Sequence, residues 1–368
     1  MKGLELCEGF FHEEAEPLLQ KYFPELAYTA GLLGYGSDVL GYDDETSTDH
    51  MWGPRFYLFL NRKDLHYKSR IEEVFSEGLP YSYLGYSVNF SEPDPEDNGV
   101  RHAMFIQQGK ISPLIFIEHI DDFIESYIGR SDLENLDILD WLTFSEHRLL
   151  ALTSGKIFKD MLGIKDKLRV LSFYPEKIKR YLLASNWAII SEEQAFVRRC
   201  ADCNDDIGSR IITARIAERL IRLCFLYRNR YAPYSKWMGT AFRRLEIGAD
   251  IFKNIEKALS AGDIAGREEA LVAAQKLVGD LHNQCKITKP VECSIGNYFG
   301  RNIKVIRAER FAEAIMEQLK GTPFEGMPLI STFSQVGNLT ALTENNSYTP
   351  RVKEIYRTKG GSYEQGNA

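Results

Sequence analysis

Apolar residues recur at helical spacing over residues 8–23, where Phe11, Ala15, Leu18, Leu19 and Tyr22 share a side before Pro24 ends the run. The pattern then shortens. Between Tyr28 and Asn61 brief apolar stretches are broken by Gly, Asp, Ser and Thr, as strands joined by tight turns are. Phe56-Tyr57-Leu58-Phe59-Leu60 reads as a buried strand, since its aromatic content favours a pleated surface over a helix. A helix is predicted over 69–77 and strands at 84–90, 100–107 and 113–118, interrupted by the acidic, proline-bearing SEPDPEDNG. From about residue 121 helical periodicity takes over: DDFIESYIG, LDILDWLTFSEHRLLAL, PEKIKRYLLASNWAII, DIGSRIITARIAERLIRLCFLYRNR, then 248–285 and 307–320. The expected fold class is α+β. A mixed-sheet domain over 1–130 precedes a helical bundle over 131–330, with a polar tail over 331–368 whose last ten residues are expected to be mobile. The boundary near Arg130 rests on Gly129 as a helix terminator before Ser131-Asp132.

Composition agrees with two folded domains. The chain has 368 residues, 44% of them hydrophobic and 26% charged, which is enough apolar material for two cores. A formal charge of −7 argues against a general nucleic-acid binder or a binder of anionic membranes, both of which need a basic surface. The first residues hold no sustained apolar stretch and read as neither a secretory signal nor a membrane span, so a cytoplasmic location is expected. Six scattered cysteines fit reduced thiols. Cys200-Ala-Asp-Cys203 has metal-ligand spacing but no second pair to complete a zinc site.

Gly34-Tyr35-Gly36-Ser37 follows an apolar stretch and precedes polar residues, so backbone N–H groups and the Ser37 hydroxyl can face an anion. The same glycines also suit a plain turn. Their context is more informative: a helix, a strand ending in Gly-Ser, Asp49 twelve positions later, then the strand at 55–60. With Gly41-Tyr-Asp-Asp-Glu45, Ser47, Asp49-His50, Trp52-Gly-Pro-Arg55 and Arg230-Tyr-Ala-Pro-Tyr-Ser-Lys-Trp237, the order resembles the polymerase-beta-like nucleotidyltransferase superfamily. More closely, it resembles a bacterial nucleotidyltransferase-like family of unknown function, over roughly residues 5 to 335.

The resemblance implies that Gly36 and Ser37 hold the phosphates of an NTP and that Asp49 is the first carboxylate of a Mg²⁺ site. Glu118, at the end of the strand 113–118, stands where the superfamily places a third carboxylate, as metal ligand or base; an ordinary strand-end glutamate is the other reading. Arg55 and Lys236 are candidates for the phosphate charge, through a planar fork and an ammonium respectively. One departure stands out. The superfamily's second carboxylate position is occupied by Met51, a soft thioether that cannot replace a carboxylate for Mg²⁺.

In the helical half, Arg215, Arg219 and Arg222 share one helix face, either toward a cleft or ion-paired with surface acids, and Tyr231–Trp237 is either a pocket wall or a packed corner. The leading expectation is transfer of NMP from an NTP to a hydroxyl of an unspecified small-molecule acceptor, with pyrophosphate released. The alternative is a nucleotide-binding or regulatory protein that keeps the fold without turnover. The acidic balance disfavours RNA as the acceptor.

Overall fold

The computed structural model describes residues 1–44, 51–97, 99–337 and 339–357. The chain divides into two compact units, one of residues 1–135 and 148–172, the other of 136–147 and everything from Phe173. The fold is α+β.

The first unit is built on a four-stranded mixed sheet of β1 (Tyr28–Leu32), β2 (Arg55–Leu60), β3 (Leu114–Glu118) and β4 (Lys156–Asp160), in the order β3-β2-β1-β4. β1 runs antiparallel to β2 and β4, whereas β2 and β3 are parallel. Every residue of β1 and β2 is buried, which is why RFYLFL is apolar almost throughout rather than alternating. Alternation still sorts the side chains to two faces. Phe56, Leu58 and Leu60 join Tyr28 and Ala30 in a core with the N-terminal helices and the helix Lys68–Gly78; the Phe56 ring lies 5.3 Å from Phe11 and 6.2 Å from Phe75. On the other face Tyr57 and Phe59 pack against Phe123 of the helix Ile120–Ile128, at 4.8 and 5.3 Å. Asp43, in the acidic turn, is buried and accepts from the Gly3 N–H at 2.7 Å, placing a carboxylate at the positive end of the first helix.

Three features depart from the sequence pattern. The strands predicted at 84–90 and 100–107 are reduced to a short hairpin, Ser82–Tyr83 with Tyr86–Ser87, and isolated bridges at Phe90–Ala103 and Asp94–Val100. Backbone bonds still tie the two stretches, from the Met104 N–H to the Asn89 carbonyl at 2.9 Å and from the Ser91 N–H to the His102 carbonyl at 2.8 Å, and Ser87 Oγ and Asn89 Nδ2 both donate to the Met104 carbonyl. β4 lies in a stretch the periodicity assigned to the helical half, and with it residues 148–172 belong to the sheet unit rather than beyond a boundary at Arg130. Beyond residue 330 the polar segment contains helices Phe333–Gly337, Thr340–Thr343 and Thr349–Arg357, the last anchored by Tyr356 donating to the Ser331 carbonyl at 2.9 Å. The end of the tail, 358–368, lies outside the described residues.

The second unit packs helices Glu176–Glu193, Asp206–Tyr227, Ala249–Ser260, Ile264–Gln284 and Glu309–Glu317 around Trp187, which stacks on Phe311 at 4.4 Å. No helix among the described residues is long and apolar enough to cross a membrane. A buried polar chain crosses this core. Trp187 Nε1 donates to the Tyr227 hydroxyl at 2.8 Å, Tyr227 bonds His282 Nδ1 at 3.0 Å, and His282 Nε2 bonds Thr288 Oγ1 at 2.8 Å. The Thr288 hydroxyl donates to the Lys289 carbonyl at 2.7 Å and can only accept from the ring, so the neutral His282 carries its proton on Nε2 and accepts from Tyr227 at Nδ1.

Burial pushes the His282 pKa down from 6.5 to about 4. Above pH 6.5 the ring is neutral in both folded and unfolded chains; as pH falls from 6.5 toward 4 the unfolded chain takes up the proton first, so stability drops and then levels off. The loss is on the order of 3 kcal/mol. Urea unfolding across this pH range should show that component in the native chain and not in His282→Gln, and an identical pH dependence in both would contradict the assignment.

Candidate functional site

The chain leaves β1 through Leu33 and turns at once. The Gly34 N–H donates to the Ala151 carbonyl at 3.0 Å, and the Tyr35 N–H donates to the Tyr127 hydroxyl at 2.9 Å. Gly36 follows with φ +127°, a backbone region that side chains rarely enter, and a Cβ there would collide with both Asp38 and Arg55. The Ser37 carbonyl then accepts from the Tyr42 and Asp43 N–H groups at 2.8 and 3.2 Å, closing a compact turn.

Beneath this turn lies a buried ion pair. Arg55, the first residue of β2, donates from Nη2 to both Asp38 oxygens at 2.8 and 3.1 Å and to the Tyr35 carbonyl at 3.0 Å. Its guanidinium stands 4.9 Å from the centre of the Tyr35 ring, and both charged residues are about 2% exposed or less. Burial opposes the charge, and the Asp38 carboxylate, with Tyr35 and Cys7 beside it, holds the Arg55 pKa above its ordinary value. Arg55 is therefore a buried strut under the loop rather than the exposed phosphate fork expected from the sequence. Asp38, Tyr35 and Tyr127 complete that support without having been singled out: a partner seventeen positions from Arg55 leaves no local spacing signal.

The loop's upper side is chemically open. Among the described residues, the N–H groups of Gly36 and Ser37 and the Ser37 hydroxyl have no hydrogen-bond partner, and Ser37 is half-buried. Successive free N–H groups beside a hydroxyl form a concavity suited to an anion.

Of the remaining expected site residues, Glu118 and Lys236 do not gather here. Asp49 and His50 lie outside the described residues. Met51 is not on a strand; it takes a left-handed φ of 47° and its Sδ accepts from the Tyr35 hydroxyl at 3.4 Å. Glu118 pairs with Phe59, whereas Arg55 pairs with Leu114. Because β2 and β3 are parallel, Glu118 sits four positions further along, about 13 Å from the end of the sheet that carries the loop. Burial and then the nearby Asp122 raise its pKa. Lys236 belongs to the second unit, where its ammonium lies 5.1 Å from the Trp237 ring centre. Of the three arginines on the helix Asp206–Tyr227, Arg215 pairs with Glu193 at 2.7 Å, Arg219 donates to the Gln335 carbonyl at 3.1 Å, and Arg222 is buried against Glu218 at 2.8 Å. Among the described residues no three His, Cys, Asp or Glu side chains gather as a metal site.

Removing Arg55 leaves Asp38 buried without its counter-charge, and Arg55→Met should cost about 3–5 kcal/mol in urea unfolding. The double variant Arg55→Met/Asp38→Leu should recover most of that loss. A single-variant loss below about 1 kcal/mol, the range of an exposed pair, would show that the strut does not hold the loop.

Residues 141–238 match the model of a domain of unknown function (DUF4037). None of the curated proteins matches the chain. Among solved structures the chain is similar to a nucleotidyltransferase-like protein from Exiguobacterium sibiricum 255-15, at 11% identity and a TM-score of 0.32, over 80% of this chain and 97% of that one.

Proposed function

We propose that the chain is a nucleotidyltransferase-like protein whose first unit binds the phosphates of a nucleoside triphosphate on the loop Gly34–Ser37. The observation that carries this reading is the pair of N–H groups at Gly36 and Ser37 that, with the Ser37 hydroxyl, have no partner among the described residues, at the end of β1 and over Arg55 and Asp38. The order of motifs around the loop, from the first helix through Gly-Ser and Asp49 to β2, supports the same reading.

Transfer of NMP to an acceptor hydroxyl through Mg²⁺ needs at least two carboxylates converging on the ion and the phosphates. The described residues do not fit that requirement. Glu118 stands at the far end of the sheet, Met51 offers sulfur, and Asp49 alone remains of the expected set. These placements favour nucleotide binding without turnover over the transferase reading.

Differential scanning fluorimetry with each NTP, in EDTA and again in Mg²⁺, tests both. A ligand at one hundred times its Kd stabilises by about 2.7 kcal/mol. The expected result is stabilisation by an NTP in EDTA that survives Asp49→Asn and is lost in Ser37→Glu, which puts a carboxylate into the anion cradle. Pyrophosphate release that disappears in Asp49→Asn would establish the transferase instead. No shift with any NTP, or one indifferent to Ser37→Glu, would remove the loop as the site.

A further inference from the structure

The second unit holds one sequence motif that its packing does not explain. Cys200-Ala-Asp-Cys203 lacks the further ligands of a zinc site, and among the described residues no group of three His, Cys, Asp or Glu side chains could hold an ion there. The short helix Phe196–Arg199 runs straight into these four residues and tightens there to a 3₁₀ turn, with Cys200 at φ −58° and ψ −26°. Asn204 ends the turn in the left-handed region at φ 53°, and Asp205 starts the helix Asp206–Tyr227 by accepting from the Gly208 N–H at 2.7 Å. Two backbone bonds close this corner: the Asn204 N–H donates to the Ala201 carbonyl at 3.1 Å and the Asp205 N–H to the Cys200 carbonyl at 2.9 Å.

This geometry brings the two sulfurs to one side. A 3₁₀ helix has three residues per turn, so side chains three positions apart eclipse, separated by about 6 Å along the axis. A disulfide joins Cα atoms roughly 4.4–6.8 Å apart, so the corner accepts the bridge with its backbone unmoved. The two thiols differ in exposure. Cys203 is exposed and open to a reagent, whereas Cys200 is half-buried. Burial, and then the Asp205 carboxylate, push the Cys200 thiol up, which keeps it protonated and makes it the second to react rather than the first. Elsewhere Cys7 and Cys224 are buried, and Cys293 donates to Asp280 at 2.8 Å.

We infer that Cys200 and Cys203 form a modification site, a dithiol that low-molecular-weight disulfides convert reversibly to an internal bridge. The Cys203 thiolate attacks one sulfur of the reagent RSSR, giving a mixed disulfide and releasing one RS⁻. Cys200, its proton lost to water, then attacks the Cys203 sulfur, forms the Cys200–Cys203 bond and expels the second RS⁻. The dithiol gives up two electrons and two protons, and RSSR is reduced to two RSH. The bridge lies inside the segment that matches DUF4037 and fixes the turn whose Asp205 caps the helix Asp206–Tyr227. It is independent of nucleotide binding in the first unit.

Glutathione disulfide added to the folded full chain, followed by intact-mass measurement and peptide mapping, tests it. The expected product has lost two of its six thiols, carries no glutathione, links Cys200 to Cys203 and reverts with dithiothreitol. Cys200→Ser should instead retain glutathione on Cys203, and Cys203→Ser should leave Cys200 free. In urea the corner is gone, so the bridge should form about tenfold less favourably there. A glutathione adduct that stays on Cys203 of the unaltered chain, both thiols free throughout, or a bridge favoured no more in the folded chain than in urea overturns the proposal.

Discussion

One buried guanidinium constrains the N-terminal unit. Arg55 opens β2, an inner strand with both faces covered, so its charge has no route to water and must be met inside the protein. Asp38 meets it from the loop, which forces the chain between β1 and Asp38 into a single path over the guanidinium. Gly36 is the residue that this path cannot replace, because the left-handed backbone and the closeness of Asp38 and Arg55 both exclude a side chain. Against a well-packed apolar substitute, a buried pair of this kind contributes little net stability. Its consequence is geometric: the pair fixes the direction in which the Gly36 and Ser37 N–H groups point.

The strength of each sequence inference follows from the range of the interaction behind it. β2 and β3 were legible because their apolar runs report burial directly, and the helices because periodicity is a local property. Gly36 and Ser37 were legible as a turn because glycine marks unusual backbone. Arg55 was legible as a charge next to a strand but not as a buried one, since its partner Asp38 is fixed by the path of a turn. Glu118 shows the same limit at the level of topology. Its strand was correctly placed, but which end of the sheet it occupies depends on β3 running parallel to β2, and no pattern within the strand records that. Asp43 stands in an acidic run between glycine-marked turns, and nothing local records that it accepts from the first helix's Gly3 N–H forty residues away.

The two units solve the burial of charge differently. In the first, Arg55 and Asp38 are enclosed as a pair, and the Gly36 and Ser37 N–H groups above them have no partner among the described residues. In the second, Glu146 and Arg222 sit in a wider network that also takes in Glu218, Gln335 and a backbone N–H, so that no single residue fixes the geometry. Networks of this kind tolerate loss of one member less predictably than an isolated pair, because each bond polarises the next.

β4 gives the chain an order of assembly. It pairs with β1 from more than 120 residues away, and residues 136–147, which belong to the other unit, are made before it. During synthesis the sheet therefore waits with one side of β1 unpaired, an edge open to association with other strands, until Asp160 has emerged. Such a long-range closure slows folding, since the entropy of the loop must be lost before the pairing returns anything. A polypeptide cut near Arg130 would keep the Gly34–Ser37 loop in its sequence and yet lack the strand that seals the sheet beside it.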